Sequence, residues 1–280
     1  MDNNLIDEYQ NQVDEQNIQF WNELCGTWLA RKKGISTFEP EALRLYDEAY
    51  FEVYPYLKRY VTKHNIKGAK VLEIGLGYGT LGYFIAEQEC EYQAIDIALA
   101  PVVMMQKRLG YLGLSADLVE HRVKTGSMLE IPHPDEHFNF IFSIGTIHHT
   151  GNVPKAISEI HRVLKPGGAA IVMMYNRDSY RQIRERWLHF IKINYHIRAN
   201  IEERLRRLYD LDAGGNAPPH TEYVSRSDVK RLFCQFTKIE IDTQNWESYV
   251  RNNKEIIKRE IFLNNIARIF GLDLYITAWK

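Results

Sequence analysis

The chain predicts an α/β fold: a doubly wound, mostly parallel sheet with a helical N-terminal cap and a helical insertion. Three observations predict it. From Lys67 onward, short apolar runs of strand length alternate with helix-length segments, the pattern of β-α-β units covered on both faces. The first of these runs ends in a glycine-studded turn, Gly75-Leu76-Gly77-Tyr78-Gly79. Residues 1–66 and 177–222 carry helical periodicity without the strand alternation.

The elements follow in order. Leu5, Val13, Ile18, Trp21, Leu24, Trp28 and Leu29 recur near helical spacing, and after Pro40 a second helical stretch carries Leu43, Leu45, Phe51, Tyr54, Leu57 and Val61. Strands are expected at 70–74, 92–95, 119–123, 138–143 and 169–175, with helices at 80–89, 102–112 and 153–164 between them. Lys165-Pro166-Gly167-Gly168 reads as a helix stop followed by a turn. Right-handed crossovers then set the topology. The stretch 176–222 is basic and helical, with Arg181, Arg184, Arg198, Arg204 and Arg207 among its charges, and it ends in a loop with a Gly214-Gly215 hinge. A helix at 227–233 capped by Ser225 or Ser227, a strand at 238–243, a charged helix at 254–269 and a closing strand at 272–279 complete the chain. The expected division is a cap or lid at 1–66, a cofactor-binding core at 67–176, a substrate cap at 177–222 and completion of the core at 223–280.

Composition bounds the function. The 280 residues suit one large domain with an appended cap, and 45% apolar with 25% charged residues is ordinary for a globular protein. A net charge of −1 supplies no global field for nucleic acid or an anionic membrane. Cys25, Cys90 and Cys234 form no CxxC pair, which suits a reducing cytoplasm. The polar start Met1-Asp2-Asn3-Asn4 is unlike a secretory signal, and apolar runs such as Ala169–Met174 are too short to span a bilayer. A cytoplasmic protein without membrane contact is expected.

The glycine turn admits three readings. It could be a tight strand-to-helix turn with no ligand. It could be a dinucleotide site, G-x-G-x-x-G, but Thr80 stands where the last glycine belongs. It could be an S-adenosylmethionine site, acidic-x-G-x-G-x-G, which Glu73, Gly75, Gly77 and Gly79 match throughout. Each glycine lets a ligand approach the backbone closely. About twenty residues on, Asp96 ends a strand, where a carboxylate can accept both hydroxyls of a ribose. That residue would serve NAD equally. A Tyr-x-x-x-Lys pair for hydride transfer occurs only at Tyr54–Lys58, before the turn, and reads as chance.

With four motifs in order, residues 67–176 resemble the class I S-adenosylmethionine-dependent methyltransferases of the broad small-molecule type. Val71–Thr80 is similar to their first motif and Ala94-Ile95-Asp96-Ile97 to their second; 138–149 resembles their fourth strand and its loop, and 162–168 the segment before their fifth strand. The resemblance implies a Rossmann-like seven-stranded sheet with an antiparallel last strand and S-adenosyl-L-methionine as cofactor. It implies that Glu73, Gly75, Leu76, Gly77, Gly79 and Thr80 line the methionine end, that Asp96 holds the ribose, and that Ile97 flanks the adenine. Ser127, beside Met128, stands where many members carry an Asp for the adenine amino group, and Ser143 and Gly145 would lie beside the sulfonium.

Methyl transfer is an in-line displacement that mainly needs alignment, with a base where the acceptor carries a proton. His148, His149 and Tyr175 follow the fourth and fifth strands and are the catalytic candidates, against the alternative that they shape the loop or the core. Trp21 on the N-terminal cap, Asn176 and Arg177 after the fifth strand, and His220 and Tyr223 at the end of the insertion are candidate acceptor contacts. No metal is expected: His133 and His137 straddle Pro134, and Asn139 replaces the acid of the metal-dependent members. Ser143-Ile144-Gly145-Thr146 lacks the Asn/Asp-Pro-Pro-aromatic motif of nucleic-acid amine methyltransferases, and nucleic acid is not expected as a partner. The basic 177–207 stretch reads as a solvated helical face pairing with Glu202 and Glu203, or as a site for an anionic group. The function expected is methyl transfer to a small molecule or small peptide, with oxygen (hydroxyl or carboxylate) preferred over nitrogen or carbon; a homodimer is compatible with it. The rivals are an NAD-dependent oxidoreductase and a non-catalytic cofactor-binding regulatory protein.

Overall fold

Alternation within each strand divides the core. Leu72, Ile141, Val172 and Ile276 point to one side of a sheet, whereas Val71, Phe142, Ile171 and Tyr275 point to the other. Both sides are buried, as the near-continuous apolar runs require. The computed structural model describes residues 3–23, 27–190, 201–212, 214–251 and 254–280; Leu24, Cys25, Gly26 and Arg198 lie outside them. The strands among the described residues are β1 (Lys70–Ile74), β2 (Glu91–Asp96), β3 (Val123–Thr125), β4 (Phe138–Ile144), β5 (Leu164–Tyr175), β6 (Lys238–Gln244), β7 (Tyr249–Arg251), β8 (Lys254–Ile257) and β9 (Asp273–Trp279). Seven form one sheet in the order β3-β2-β1-β4-β5-β9-β6. β1 to β5 run parallel, and β9 is antiparallel to both its neighbours. The order reverses between β1 and β4, so the connections at their carboxyl ends leave in opposite directions and open a crevice.

Four helices precede the sheet: α1 (Asn3–Trp21), α2 (Thr27–Lys32), α3 (Pro40–Val53) and α4 (Leu57–Thr62). Helices α5 (Thr80–Ala86), α6 (Leu99–Tyr111), α7 (Ala116–Arg122) and α8 (Val153–Val163) make the crossovers. The Asn152 side chain caps α8 by accepting from Lys155 N at 3.2 Å, and Val153, Ala156, Ile157, Ile160 and Val163 form its buried stripe. Next come α9 (Tyr180–Phe190), α10 (Ile201–Arg207) and α11 (Arg226–Leu232), the last opened by a Ser225–Asp228 capping box. The short α12 (Glu260–Leu263) and α13 (Ala267–Phe270) lead into β9. No helix among the described residues is long and apolar enough to cross a membrane.

Two expectations need correction. The third strand is Val123–Thr125; the expected 119–123 run is instead the end of α7, of which only Val119 is buried. Residues 254–269 are not one helix. Their first four pair with β7 as a small antiparallel hairpin, followed by two single-turn helices. The high charge of this stretch leaves no continuous apolar stripe to hold a long helix against the sheet.

One buried ion pair fastens the N-terminal helices to the sheet. Arg108 of α6 is only 1% exposed. Its two terminal nitrogens each donate at 2.9 Å to the Asp47 carboxylate of α3, and its Nε donates at 2.6 Å to the Tyr78 carbonyl in the glycine turn. Thr80 Oγ1 donates to the same carboxylate at 2.6 Å. Tyr46 stacks on Tyr78 with ring centroids 4.2 Å apart. Asp47→Ala strands a buried guanidinium, and such a loss costs about 3 kcal/mol. Urea unfolding should show a fall of that size; a change under about 1 kcal/mol, the value of a surface pair, would refute the clamp.

Candidate active site

The turn after β1 is built by close approach. Gly75 has φ +83°, and a Cβ there would sit 1.9 Å from Thr146 Oγ1, so the Thr146 side chain after β4 lies directly against the Gly75 backbone. Thr146 Oγ1 donates to the Ile74 carbonyl at 3.2 Å, and Gly75 N donates to the Ile95 carbonyl at 3.0 Å. These bonds hold the carboxyl ends of β1, β2 and β4 around one cavity of about 880 Å³. That volume accommodates a cofactor together with a small acceptor.

Two buried acids stand beside the glycine turn. Asp96 ends β2 and accepts from Leu76 N at 2.8 Å and from Ala98 N at 2.9 Å, one bond to each oxygen. An ionised carboxylate has about four acceptor positions, so open positions remain for a ligand. Burial pushes its pKa up to about 6 against the backbone donors that lower it. Glu73 ends β1 and accepts from the Tyr92 hydroxyl; burial pushes it up to about 8, so it is mostly protonated at neutral pH. Gly82 of α5 leaves the room for it: a Cβ there would lie 2.2 Å from Glu73 Oε2.

Leu76, Gly77, Thr80, Ile97, Met128 and Gly145 also line the cavity, as do Glu73, Gly75 and Asp96. Gly79, Ser127 and Ser143 do not. Gly79 faces Arg108, Ser127 Oγ accepts from Leu129 N at 3.1 Å, and Ser143 is fully buried within β4. A glycine-rich turn, a carboxylate with open acceptor positions and the apolar Ile97 and Met128 together fit an adenosyl cofactor.

Across the cavity, three side chains from distant parts of the chain converge. The Tyr175 hydroxyl at the end of β5 donates to Asp210 Oδ2 at 2.6 Å. His149 Nε2, on the turn after β4, lies 3.8 Å from the same oxygen. His149 Nδ1 is 2.8 Å from the His220 carbonyl, which can only accept. The Nδ1 therefore carries the proton, and burial, which holds the ring neutral, leaves Nε2 as a bare acceptor. Nε2 has no hydrogen-bond partner among the described residues. Trp21 of α1 covers the imidazole at 4.7 Å between ring centroids, and Asn17 Nδ2 donates to the His149 carbonyl at 2.8 Å.

The remaining sequence candidates lie behind this wall. His148 is fully buried against Tyr175, ring centroids 4.1 Å apart, and does not line the cavity. Asn176 donates to the Gly271 carbonyl at 2.8 Å and accepts from Asp178 N, closing the turn after β5. Arg177 pairs with Asp228 at 3.0 Å outside the cavity. His220 contributes its carbonyl to His149 while its ring faces Glu222 at 3.4 Å. Tyr223 packs on Tyr209 at 5.3 Å, one layer from the cavity. The basic helices are largely paired: Arg184 and Arg204 both reach Glu185, and Arg207 reaches Glu203.

Sequence reasoning missed Asp47, Arg108, Asp210 and Asp273. Asp210 sits 35 positions from Tyr175, in a segment whose charge pattern does not mark it. Gly82 left a trace, a glycine two residues inside a helix, where it is unfavourable unless something needs the space.

A methyltransferase-domain family profile matches residues 71–168. Phosphoethanolamine N-methyltransferase 1 of Arabidopsis thaliana is 32% identical over 227 residues, 80% of this chain and 40% of that protein. A ubiquinone biosynthesis O-methyltransferase of Pseudomonas syringae pv. tomato is 28% identical over 167 residues, 59% of this chain and 65% of that protein. The chain thus spans less than two thirds of the length of either relative. In three dimensions, an S-adenosylmethionine-dependent methyltransferase of Archaeoglobus fulgidus shares the fold, with a TM-score of 0.52 at 16% identity over 91% of this chain and 100% of that one. The glycine turn, the buried acid after β2, the strand order and the matching profile lead to one assignment: residues 71–168 form a methyltransferase domain, on a Rossmann-like sheet of the class I S-adenosylmethionine-dependent type.

Proposed function

We propose that the chain transfers a methyl group from S-adenosylmethionine to a hydroxyl or amine of a small molecule or small peptide. The carrying observation is the bare His149 Nε2 held 3.8 Å from Asp210 Oδ2 at the cavity wall opposite the glycine turn. Two acceptor atoms that close call for a donor between them. An acceptor hydroxyl or amine brings that hydrogen, whereas a carboxylate acceptor brings none. This favours proton-bearing oxygen or nitrogen. The two curated relatives act, by their names, on one oxygen and one nitrogen substrate.

When bound, the cofactor supplies a methyl carbon activated by a positive sulfur. The residues supply the rest. Asp96 offers its open acceptor positions to the ribose hydroxyls, and the Gly75–Gly79 turn lets the ligand meet the backbone. Asp210, held by the Tyr175 hydroxyl, orients the acceptor hydrogen; His149 Nε2 takes the proton as the new bond forms. The His220 carbonyl keeps the imidazole in the tautomer this needs. Trp21 and Asn17 close the site to water from above. His148 and Tyr175 position this cluster, with His148 acting from behind as packing.

Asp96→Ala should weaken S-adenosylhomocysteine binding by about tenfold to a hundredfold, the value of one or two hydrogen bonds to a charged group, with circular dichroism unchanged. Calorimetric titration measures it; equal affinity in the variant would remove the ribose role, and tight NADH binding by the wild type would remove the whole reading. His149→Gln should lower kcat by about a hundredfold in labelled-methyl transfer while leaving S-adenosylhomocysteine affinity alone. A third test reads protonation. Glu73 and Asp96 have native pKa values raised to about 8 and about 6, from ordinary values of 4.5 and 3.8. The folded state therefore holds protons that the unfolded chain releases, and this stabilisation is complete below about pH 4 and lost as pH rises through about 6 to 8. Thermal unfolding should show Tm falling across that window, and Glu73→Gln, which mimics the neutral acid, should flatten the part near pH 8. A variant curve parallel to the wild type counts against a protonated Glu73.

A further inference from the structure

Where β9 begins, next to Tyr175, the same cavity holds two buried polar atoms of opposite character that no described residue satisfies. Asp273 opens β9 with its side chain inside the cavity; Oδ2 accepts from Asn245 Nδ2 at 2.9 Å, and Oδ1 has no partner. The residue is 1% exposed. Arg259 lines the same end. Its Nη2 donates to Asn245 Oδ1 at 2.8 Å, its guanidinium lies 5.9 Å from the Tyr54 ring centroid, and its Nε is buried without a partner. Arg259 is in no ion pair among the described residues, whereas its neighbour Arg181 is committed to Glu247 and to the Leu208 carbonyl. One amide, Asn245, thus spaces a carboxylate and a guanidinium apart and consumes one valence of each. Asn245 does so from a left-handed backbone, φ +70°, a sparsely used conformation for a side-chain-bearing residue.

An unsatisfied buried acceptor or donor costs about 1–3 kcal/mol. Two of them facing one cavity, held in place by one bridging amide, fit a ligand that satisfies both. The ligand must present a donor to Asp273 and an acceptor, preferably anionic, to Arg259. Tyr54, Tyr209 and Trp246 supply flat apolar walls beside them.

We propose that this end of the cavity is a recognition subsite for a zwitterionic head group of the methyl acceptor, with its ammonium on Asp273 and its carboxylate or phosphate on Arg259. The subsite rests on the cavity being the acceptor site of a methyltransferase; it adds which small molecules enter. The reacting hydroxyl or amine then extends from this anchor toward His149 and Asp210.

The test is calorimetric titration of protein saturated with S-adenosylhomocysteine, using four probes: L-tyrosine, tyramine, 4-hydroxyphenylpropionate and 2-aminoethyl phosphate. Binding of S-adenosylhomocysteine itself is the separate check on the methyltransferase reading. We expect at least one zwitterion to bind about tenfold or more tightly than both singly charged probes, since each adds a charged hydrogen bond; the better of the two zwitterions identifies the anion as carboxylate or phosphate. Asp273→Asn should weaken the zwitterion and the amine by about tenfold and spare the acid, and Arg259→Gln should do the reverse. Equal binding of all probes, a singly charged probe binding best, no binding by any, or variants that weaken every probe alike would overturn the subsite. Should either variant fail to fold, the wild-type ranking decides alone.

Discussion

The architecture depends on the buried Arg108 side chain. A guanidinium that is 1% exposed must have its charge balanced and its donors used. Asp47 balances it, and the Tyr78 carbonyl takes the remaining Nε. Those partners belong to different layers of the molecule: α3 of the N-terminal cap and the turn after β1. Thr80 then adds the first turn of α5 to the same carboxylate. The conformation of the glycine turn and the placement of the cap are consequently one arrangement. Neither can move without uncovering a charge, which explains how a turn with three positive-φ glycines keeps a defined shape.

Burial acts on the acids around the cavity in two ways. Glu73 is surrounded by Gly82 and the Tyr92 hydroxyl and is mostly neutral at physiological pH. Asp96 has backbone donors at Ala98, Leu76 and Ile97 and stays closer to the ordinary range. The difference is useful. A neutral Glu73 can share the space behind the turn with Asp96 without two like charges meeting in a low dielectric. Asp273, pushed up to about 7 by burial, is kept from rising further by Asn245, Arg181 and Arg259. Its charge state thus responds to what enters the cavity, because a nearby cation favours the ionised form.

The cavity wall around the glycine turn was legible in the sequence, and the wall built by His149, Tyr175 and Asp210 was not. Glu73, Gly75, Gly77 and Asp96 fall within two strand ends and one turn, so their spacing along the chain mirrors their spacing in space. Strand positions followed from apolar runs for the same local reason. The third strand differs from expectation because Val119 and Val123 are apolar at a spacing that suits either element; Val119 is the buried residue of α7 and Val123 opens β3. Residues 254–269 were misread because charge density suggested an exposed helix where a hairpin forms. Tyr175, Asp210 and His149 come from β5, the segment after α10 and the turn after β4; only folding brings them together. His148 and His149 show the limit most plainly. Adjacent in sequence and alike in chemistry, they are separated by which side of a single turn faces the cavity, and only His149 does.

The same distinction bears on how acceptor choice can change without disturbing the donor site. Asp96 bonds the glycine turn through Leu76 N, and the turn is tied to Arg108 through the Tyr78 carbonyl. Asn245 follows the end of β6, Asp273 is the first paired residue of β9, and Arg259 stands between β8 and α12. Asn245 links the other two through one amide, so it controls both polar ends at once. Replacing it would release Asp273 and Arg259 to pair directly, closing the gap that now separates donor from acceptor. Retaining a left-handed asparagine there keeps the two charges apart, and that separation is the property by which the cavity can discriminate between head groups of equal size and different charge.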